Sequence, residues 1–364
     1  MPIITGLPSV TPDVVKEMSK TLFEGFYQRP DVTSIMQIVE GIKSDAQLIA
    51  FKRHAGLSGY VRSNCDTTAN TTLSSATINK TWSPKKIGDR FAECFDTFDA
   101  SFTAWMLKEG TDKPDLAGTE IGMFIAMQLS DMIQETLQRH AWFGDTAIAA
   151  GTNNNLVAGE LKFFNAIDGL WKQAFAIVAA DGNRRTSDTT LTTRNTGATF
   201  AAQAFTSADV TNQVITKALD NLWFGADLRL RSMPRNELVI LSTQSIADQY
   251  ERERKSVGSI DASYQRVEDG MLKLYSNGIE IVPISIWDRT LRSYIGTTSA
   301  NVATTLPHRA ILTHRENLMI GTESVGALDG LQVWYSQDDA KMYADYLVKM
   351  DAKVGLDNMI QALY

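Results

Sequence analysis

From Thr119 to Thr146 the chain carries one unbroken amphipathic pattern that closes on Trp142-Phe143-Gly144-Asp145-Thr146. Ile121, Ile125, Leu129, Met132, Ile133 and Leu137 recur at helical spacing on one side, and Glu120, Asp131, Gln134 and Gln138 fall on the other. Glu135 precedes Arg139 by one helical turn, the orientation that strengthens a helix. Asp115 or Thr119 can cap the start, and Gly144 stops the pattern. About 22 residues at ~1.5 Å each make a rod of roughly 33 Å, where an average helix has only three turns. The rod carries no chemistry of its own, so its meaning depends on what flanks it.

Before it, residues 12–27 read as a short helix with Thr11 as cap, Pro12 in the first turn and Val15, Met18, Leu22, Phe23 and Phe26 on one side. Val32 to Phe51 is ambiguous. Residues 55–85 hold Gly56, Gly59 and many Thr, Ser and Asn with few large apolar side chains. Such a stretch cannot build its own core, and reads as a disordered loop or as an extended β arm that needs a neighbour. Thr77 to Trp82 alternates as a strand does, which favours the arm. Phe91, Phe95, Phe98 and Phe102 then fall at helical spacing, so Ile87–Phe102 is expected to be a core-facing helix.

After the rod come a Gly/Asn break at Gly151–Asn155, a helix over Ala166–Ala179, and a Thr-rich loop or loose hairpin over 181–206. Ser207 is expected to cap a helix that faces Val210, Val214, Ile215, Ala218, Leu219 and Leu222 inward. From Arg235 the pattern turns to tight α/β. Glu237–Leu241 reads as a buried strand, and Ser242 or Thr243 as the cap of a helix reaching Lys255. Asn277-Gly278 joins two strands in a tight turn. Arg309–Thr313 and Leu318–Gly321 are expected to pair as a hairpin across Arg315-Glu316-Asn317, and Leu331–Tyr335 is another strand. Val348, Met350, Ala352 and Val354 alternate with Lys349, Asp351 and Lys353, as in a long strand with one buried face.

The sequence carries no catalytic signature. There is no G-x-S-x-G, G-x-G-x-x-G, P-loop, H-E-x-x-H or C-x-x-C pattern. The histidines are His54, His140, His308 and His314; the last two bracket a strand at an expected separation of roughly 20 Å, too far for one metal. Asp338-Asp339 with Asp345 lacks the loop spacing of a cation site, and Gly321–Gly326 lacks the lysine and helix of a phosphate cradle. Cys65 and Cys94 are read as free thiols, too few for a disulfide framework or a zinc site. A net charge of −7 without a basic arm argues against a dedicated nucleic-acid binder, while 44% apolar residues suffice for a real core. The first residues lack the pattern of a signal peptide, and no run is long enough to span a membrane. No catalytic, cofactor-binding or metal-binding residue is nominated, and the expectation is a protein that is not an enzyme and carries no cofactor.

The order of elements does point to a family. An amino-terminal arm, a Thr-rich loop, a long helix and a carboxyl-terminal α/β module ending in a long strand resemble a tailed-phage major capsid protein of the Hong Kong 97 type. The likeness covers most of the chain. It is strongest at the Trp142-Phe143-Gly144-Asp145-Thr146 exit, similar to the W/F-G-D end of such proteins, and over Leu306–Thr313 through Asn317–Gly321 to the terminal strand. The 87–146 region is also similar to capsid proteins of Bacteroidetes-infecting phages.

The resemblance implies an α+β fold: an arm over 1–49, an extended loop and its return over 50–102, a peripheral domain over 103–225 and 340–364 with a spine helix at 119–140, and an axial domain over 226–339. It implies pentamers and hexamers that close into an icosahedral virion shell around double-stranded DNA, held by weak non-specific contact. Scaffold, portal and decoration proteins would be the further partners, with assembly in the bacterial cytoplasm and no membrane. An acidic chain suits that role, because a lining that neutralised many phosphates would grip the packaged DNA. Only about fifty residues precede the extended loop, which points to a separate scaffold or a mature chain rather than a cleaved scaffolding region of about a hundred residues. The lysine and asparagine that cross-link some relatives have no matched positions here. The rivals are an encapsulin-like compartment shell, another virion structural protein and an α/β enzyme without a recognised motif.

Overall fold

The computed structural model describes residues 35–43, 46–52, 76–94, 120–151, 156–257, 264–266, 272–295, 305–323, 331–336 and 341–364, with backbone alone for 120–131 and for parts of several strands. The expected helix at 12–27, most of the Thr-rich segment, Phe95–Phe102, His54, Cys65 and Asp338-Asp339 lie outside the described residues.

The strands are β1 (Gln37–Val39), β2 (Gln47–Lys52), β3 (Ala76–Thr81), β4 (Lys85–Cys94), β5 (Arg185–Thr186), β6 (Leu238–Ser242), β7 (Tyr264–Arg266), β8 (Leu272–Ser276), β9 (Ile279–Pro283), β10 (Ala310–His314), β11 (Leu318–Thr322), β12 (Leu331–Ser336), β13 (Lys341–Val354) and β14 (Ile360–Leu363). The helices are α1 (Glu120–Phe143), α2 (Leu170–Ala180), α3 (Thr189–Asn195), α4 (Phe200–Gln203), α5 (Ser207–Thr211), α6 (Val214–Phe224), α7 (Leu228–Arg231), α8 (Gln244–Val257) and α9 (Ser285–Thr290). This is a mixed α+β fold. A five-stranded sheet runs β1-β11-β13-β12 with β4 on the other edge of β13; a seven-stranded sheet runs β5-β14-β10-β6-β9-β8-β7; β2 and β3 form a two-stranded sheet.

β6 is buried at every position because both faces of its sheet are covered. Val239 and Leu241 join Ile311 and Ile360 in one core, together with Ile133, Leu137 and Trp142 of α1 and Ile320, Val348, Met350, Ala352 and Val354 of the five-stranded sheet. Leu238 and Ile240 face the other way, onto Ile215, Leu219 and Leu222 of α6 and Ile246 and Tyr250 of α8. The period-two alternation of one strand thus divides its side chains between two cores.

The 24-residue helix α1 forms as its periodicity dictates, and Glu135 and Arg139 pair at 3.0 Å. Ile133 and Leu137 are buried, but Met132 is 51% exposed, so the inward stripe is narrower than expected. The Asn277-Gly278 turn has φ of 53° and 76°, the left-handed pair that a two-residue hairpin requires. β13 buries Val348 through Val354 on one face as read, while Asp351, on the other face, is 2% exposed.

Four expectations are corrected. Residues 85–94 are strand β4, paired antiparallel with Lys341–Met350, not the start of a helix. Ile87 and Phe91 are four apart, a spacing that serves one face of a strand as well as one face of a helix. β10 and β11 do not form a hairpin: β10 pairs with β6 and β14, and β11 with β1 and β13. The turn at Arg315–Asn317 instead carries the chain from one sheet to the other. The 181–206 segment is largely helical, because Asp188, Thr199 and Thr206 accept backbone N–H groups as N-caps instead of favouring loop. The helix expected from Ser207 is capped by Thr206 and splits at Gln213, whose φ of 53° breaks it into α5 and α6.

Candidate functional site

Where β2 and β3 join the body, the contacts are dense. Trp82, 2% exposed, follows β3, and its N–H donates to Ala46 O at 2.8 Å. Its ring lies against Gly321, where a Cβ would sit 2.7 Å from Cζ3 and also 2.5 Å from Ile42 Cδ1. That glycine permits close approach, as an isolated glycine in a strand often does. Ile42 N donates to Thr322 O at 3.2 Å. Lys80 Nζ donates to Val354 O at 2.7 Å and pairs with Asp357. Ser83 N donates to Asp351 Oδ2 at 2.8 Å, which explains how a carboxylate can be buried on the second face of β13.

The exit of α1 is fixed just as firmly. Trp142 meets Trp287 edge-on at 4.8 Å, and Trp287 meets Trp171 at 4.9 Å. Gly169 N donates to Gly144 O at 2.8 Å, and a Cβ on Gly169 would lie 2.6 Å from Gly144 N. Lys172 reaches Asp145 at 2.6 Å and Asp168 at 2.7 Å, closing the Gly-Asp-Thr exit onto α2. Arg309, 4% exposed, lies over Trp171 at 4.8 Å and Phe143 at 5.7 Å, and donates to Leu306 O at 2.8 Å and to Thr305 O. Burial pushes its guanidinium down to about 9, opposed by Asp288 and Tyr364.

Among the described residues, His140, His308 and His314 are not brought together, and no group of three His, Cys, Asp or Glu side chains there could hold a metal. His140 is buried in α1, where desolvation and then Arg139 hold it down to about 4. His314 caps Glu316 N and sits 3.4 Å from Glu237. Asp345 pairs with Arg90 at 2.9 Å, and Cys94 ends β4. A cavity of about 540 Å³ beside α1 is lined by Arg139, His140, Phe163, Tyr294 and Tyr346 among others.

His308 Nδ1 lies 2.7 Å from Ser245 Oγ. Its Nε2 faces Gln203 O at 2.7 Å, so that nitrogen carries the proton and Nδ1 accepts from the serine hydroxyl. Asn195 grips the backbone of His308 from both sides, each bond 2.8 Å. Burial, with Arg292 and Arg194 adding to it and the Gln203 carbonyl opposing, holds the imidazole down to about 4. Such a ring is a weak base at neutral pH, where an efficient general base titrates near the working pH. The arrangement fastens α3, α4 and α8 to the start of β10. Sequence spacing could not reveal it, since its members come from separate elements.

No family model matches the sequence, and no curated protein matches it. Among solved structures the chain is similar to one from the satellite phage P4 procapsid, at 11% identity over 96% of each chain with a TM-score of 0.45. It is similar to one from Mycobacterium phage Adephagia, at 11% identity over 90% of this chain and 87% of that one with a TM-score of 0.48. It is also similar to the encapsulin of Synechococcus elongatus, at 9% identity over 90% of this chain and 84% of that one with a TM-score of 0.44. At these values each is a likeness of chain path alone.

Proposed function

We propose that this chain is the major capsid protein of a tailed bacteriophage, a subunit that assembles through pentamers and hexamers into an icosahedral shell around double-stranded DNA. The observation that carries the reading is the β2–β3 sheet: among the described residues its strands pair only with each other, and Trp82, Lys80 and Ser83 tie it to the body at its root. A lone two-stranded hairpin is marginal in water and gains stability by lying on another surface. An arm of this kind, rooted in a rigid body, suits a subunit that reaches a neighbour. The long helix α1 serves as the spine of that body. Its buried side chains share one core with both sheets and its exit is fixed by the tryptophan cluster, an arrangement suited to bearing load.

In this reading the peripheral domain takes 103–225 and 340–364, and the axial domain takes 226–339, after an arm over 1–49 and a loop with its return over 50–102. β11 and β12 pair onto β13 across that division, and β14 onto β10. Heterologous contacts repeated around a ring close into capsomers and then a shell, and multivalency makes individually modest contacts sufficient. Scaffold, portal and decoration proteins complete the partners; DNA is held weakly and without sequence preference, as a −7 chain allows. The role requires neither catalysis nor a cofactor.

The purified chain, alone or with its scaffold, is expected to form large hollow particles or five- and six-fold rings visible by electron microscopy. A monodisperse monomer at every concentration and salt would refute the proposal. Replacing residues 53–75 by a short turn, which keeps β2, β3 and Trp82, is expected to leave a folded subunit that no longer closes shells.

A further inference from the structure

We propose that the end of α6 together with α7 is one half of a contact between subunits, and that its occupant is a second copy of this chain; this rests on the shell reading above. Phe224 is 60% exposed and Leu228 is 77% exposed, the latter the most exposed large apolar side chain among the described residues. They line an open depression of about 460 Å³ with Trp223, Arg231, Arg235 and Asn277. Trp223, 5% exposed, anchors its floor in the core beneath.

The rim is cationic. The Arg231 guanidinium lies 5.5 Å from the Phe224 ring and 5.8 Å from Trp223, and Arg235 lies 5.2 Å from Trp223. Arg231 donates to Phe224 O at 3.3 Å and Arg235 to Asn277 O, so both are held in place by backbone carbonyls. Neither forms a salt bridge with a carboxylate among the described residues, while Arg229 lies close enough to Asp227 to help hold its carboxyl below the usual range. The two acids alongside are engaged elsewhere: Asp227 pairs with Arg184 at 2.9 Å, and Asp220 accepts from Asn277 Nδ2 at 2.8 Å. Positioned guanidinium groups over aromatic rings, next to large exposed apolar side chains, are the composition that dominates protein–protein hot spots.

Charge decides the occupant. A chain of net −7 carries more acid than base, so a second copy is on balance attracted to this basic patch. A heterologous contact needs only one such patch per subunit and its complement on the next. Duplex phosphate would engage the arginines but leave Phe224 and Leu228 in water. A protein strip that sets a carboxylate beside an apolar side chain covers both.

The test compares the critical concentration for ring or particle formation of the full chain, by sedimentation velocity, with that of Leu228→Asp and of an Arg229→Glu/Arg235→Glu double variant. Each variant is expected to raise it at least tenfold, about 1.4 kcal/mol per subunit, with the thermal melt of the free subunit unchanged. Should Leu228→Asp fail to fold, the double variant at two exposed arginines decides. Assembly of that variant, or of a folded Leu228→Asp, at the parent's concentration overturns the patch and leaves the shell reading standing. A parent that stays monomeric overturns the shell reading, and the patch with it. Binding of a duplex oligonucleotide by the parent, lost in the double variant while assembly is kept, overturns the patch as a subunit contact and makes it a nucleic-acid surface.

Discussion

Replacing Trp82 by alanine withdraws the indole that seats the β2–β3 arm against Gly321 and Ile42. A buried tryptophan removes ~200 Å² from water, and at ~25 cal/mol per Å² that is about 5 kcal/mol, an upper bound because unfolded chains already bury some surface. Truncations of this kind cost ~3–5 kcal/mol. Trp82 belongs to neither of the two main buried clusters, so the loss falls on the arm and not on the body. What remains at the root is the bonding of Lys80, Ser83 and Ile42, worth ~1 kcal/mol for each neutral hydrogen bond and somewhat more for each charged one. At ~1.4 kcal/mol per tenfold, opening of the arm should become a hundred- to a few-thousandfold more frequent. Hydrogen exchange followed by mass spectrometry reads this directly as faster exchange over 46–52 and 76–83, while the denaturant midpoint of the body moves little. Unchanged exchange in those peptides would refute the argument. So would a loss of several kcal/mol shared by the whole subunit, which would make Trp82 part of its core.

Two further outcomes follow from the packing. His140 and His308 are each held by burial at about 4, against 6.5 when exposed. The folded form keeps them neutral, so stability is full above the unfolded value and falls as pH drops from ~6.5 toward ~4, by up to ~3 kcal/mol for each histidine, levelling once the folded form also protonates. Asp209 extends the decline into acid: burial opposes its charge, but Thr206 and Arg194 outweigh that and keep its carboxyl below the usual range. Denaturant titrations between pH 7 and 4 should show the decline, and His308→Gln should reduce its slope; a flat parent profile would count against the assignment. Gly169→Ala places a Cβ 2.6 Å from Gly144 N and 2.9 Å from both His140 O and Trp142 C, all backbone atoms with little room to move, whereas Gly159 has nothing within 4 Å. The first change should cost ~1–3 kcal/mol or more and the second almost nothing, and a thermal melt of Gly169→Ala matching the parent would show that the exit of α1 can yield.

The α+β class, the long helix, the buried strand at 238–242, the Asn277-Gly278 turn and the alternation of the last long strand were legible in the sequence, because each is set by geometry acting within a few residues. Periodicity reports which face is buried, and a left-handed turn demands particular residues. Local patterning was silent or misleading wherever two solutions share one pattern. Ile87 and Phe91 fit a strand as well as a helix, and only the partner strand at 341–350 decides between them. The chain turns at Arg315–Asn317 as its residues suggest, but whether it doubles back or crosses to a second sheet depends on what β10 and β11 find to pair with. Thr199 and Thr206 serve as helix caps once the short helices of this segment find neighbours to pack on, α3 against α6 and α5 against α8. The root of the arm was invisible for the same reason: Ser83 and Asp351 are 268 positions apart, and nothing in the spacing around Gly321 shows that Trp82 fills the space above it. Sequence by itself determined what each segment can bury. Tertiary structure decided which surfaces meet, because that choice minimises the energy of the whole core and leaves no mark on the spacing of neighbouring residues.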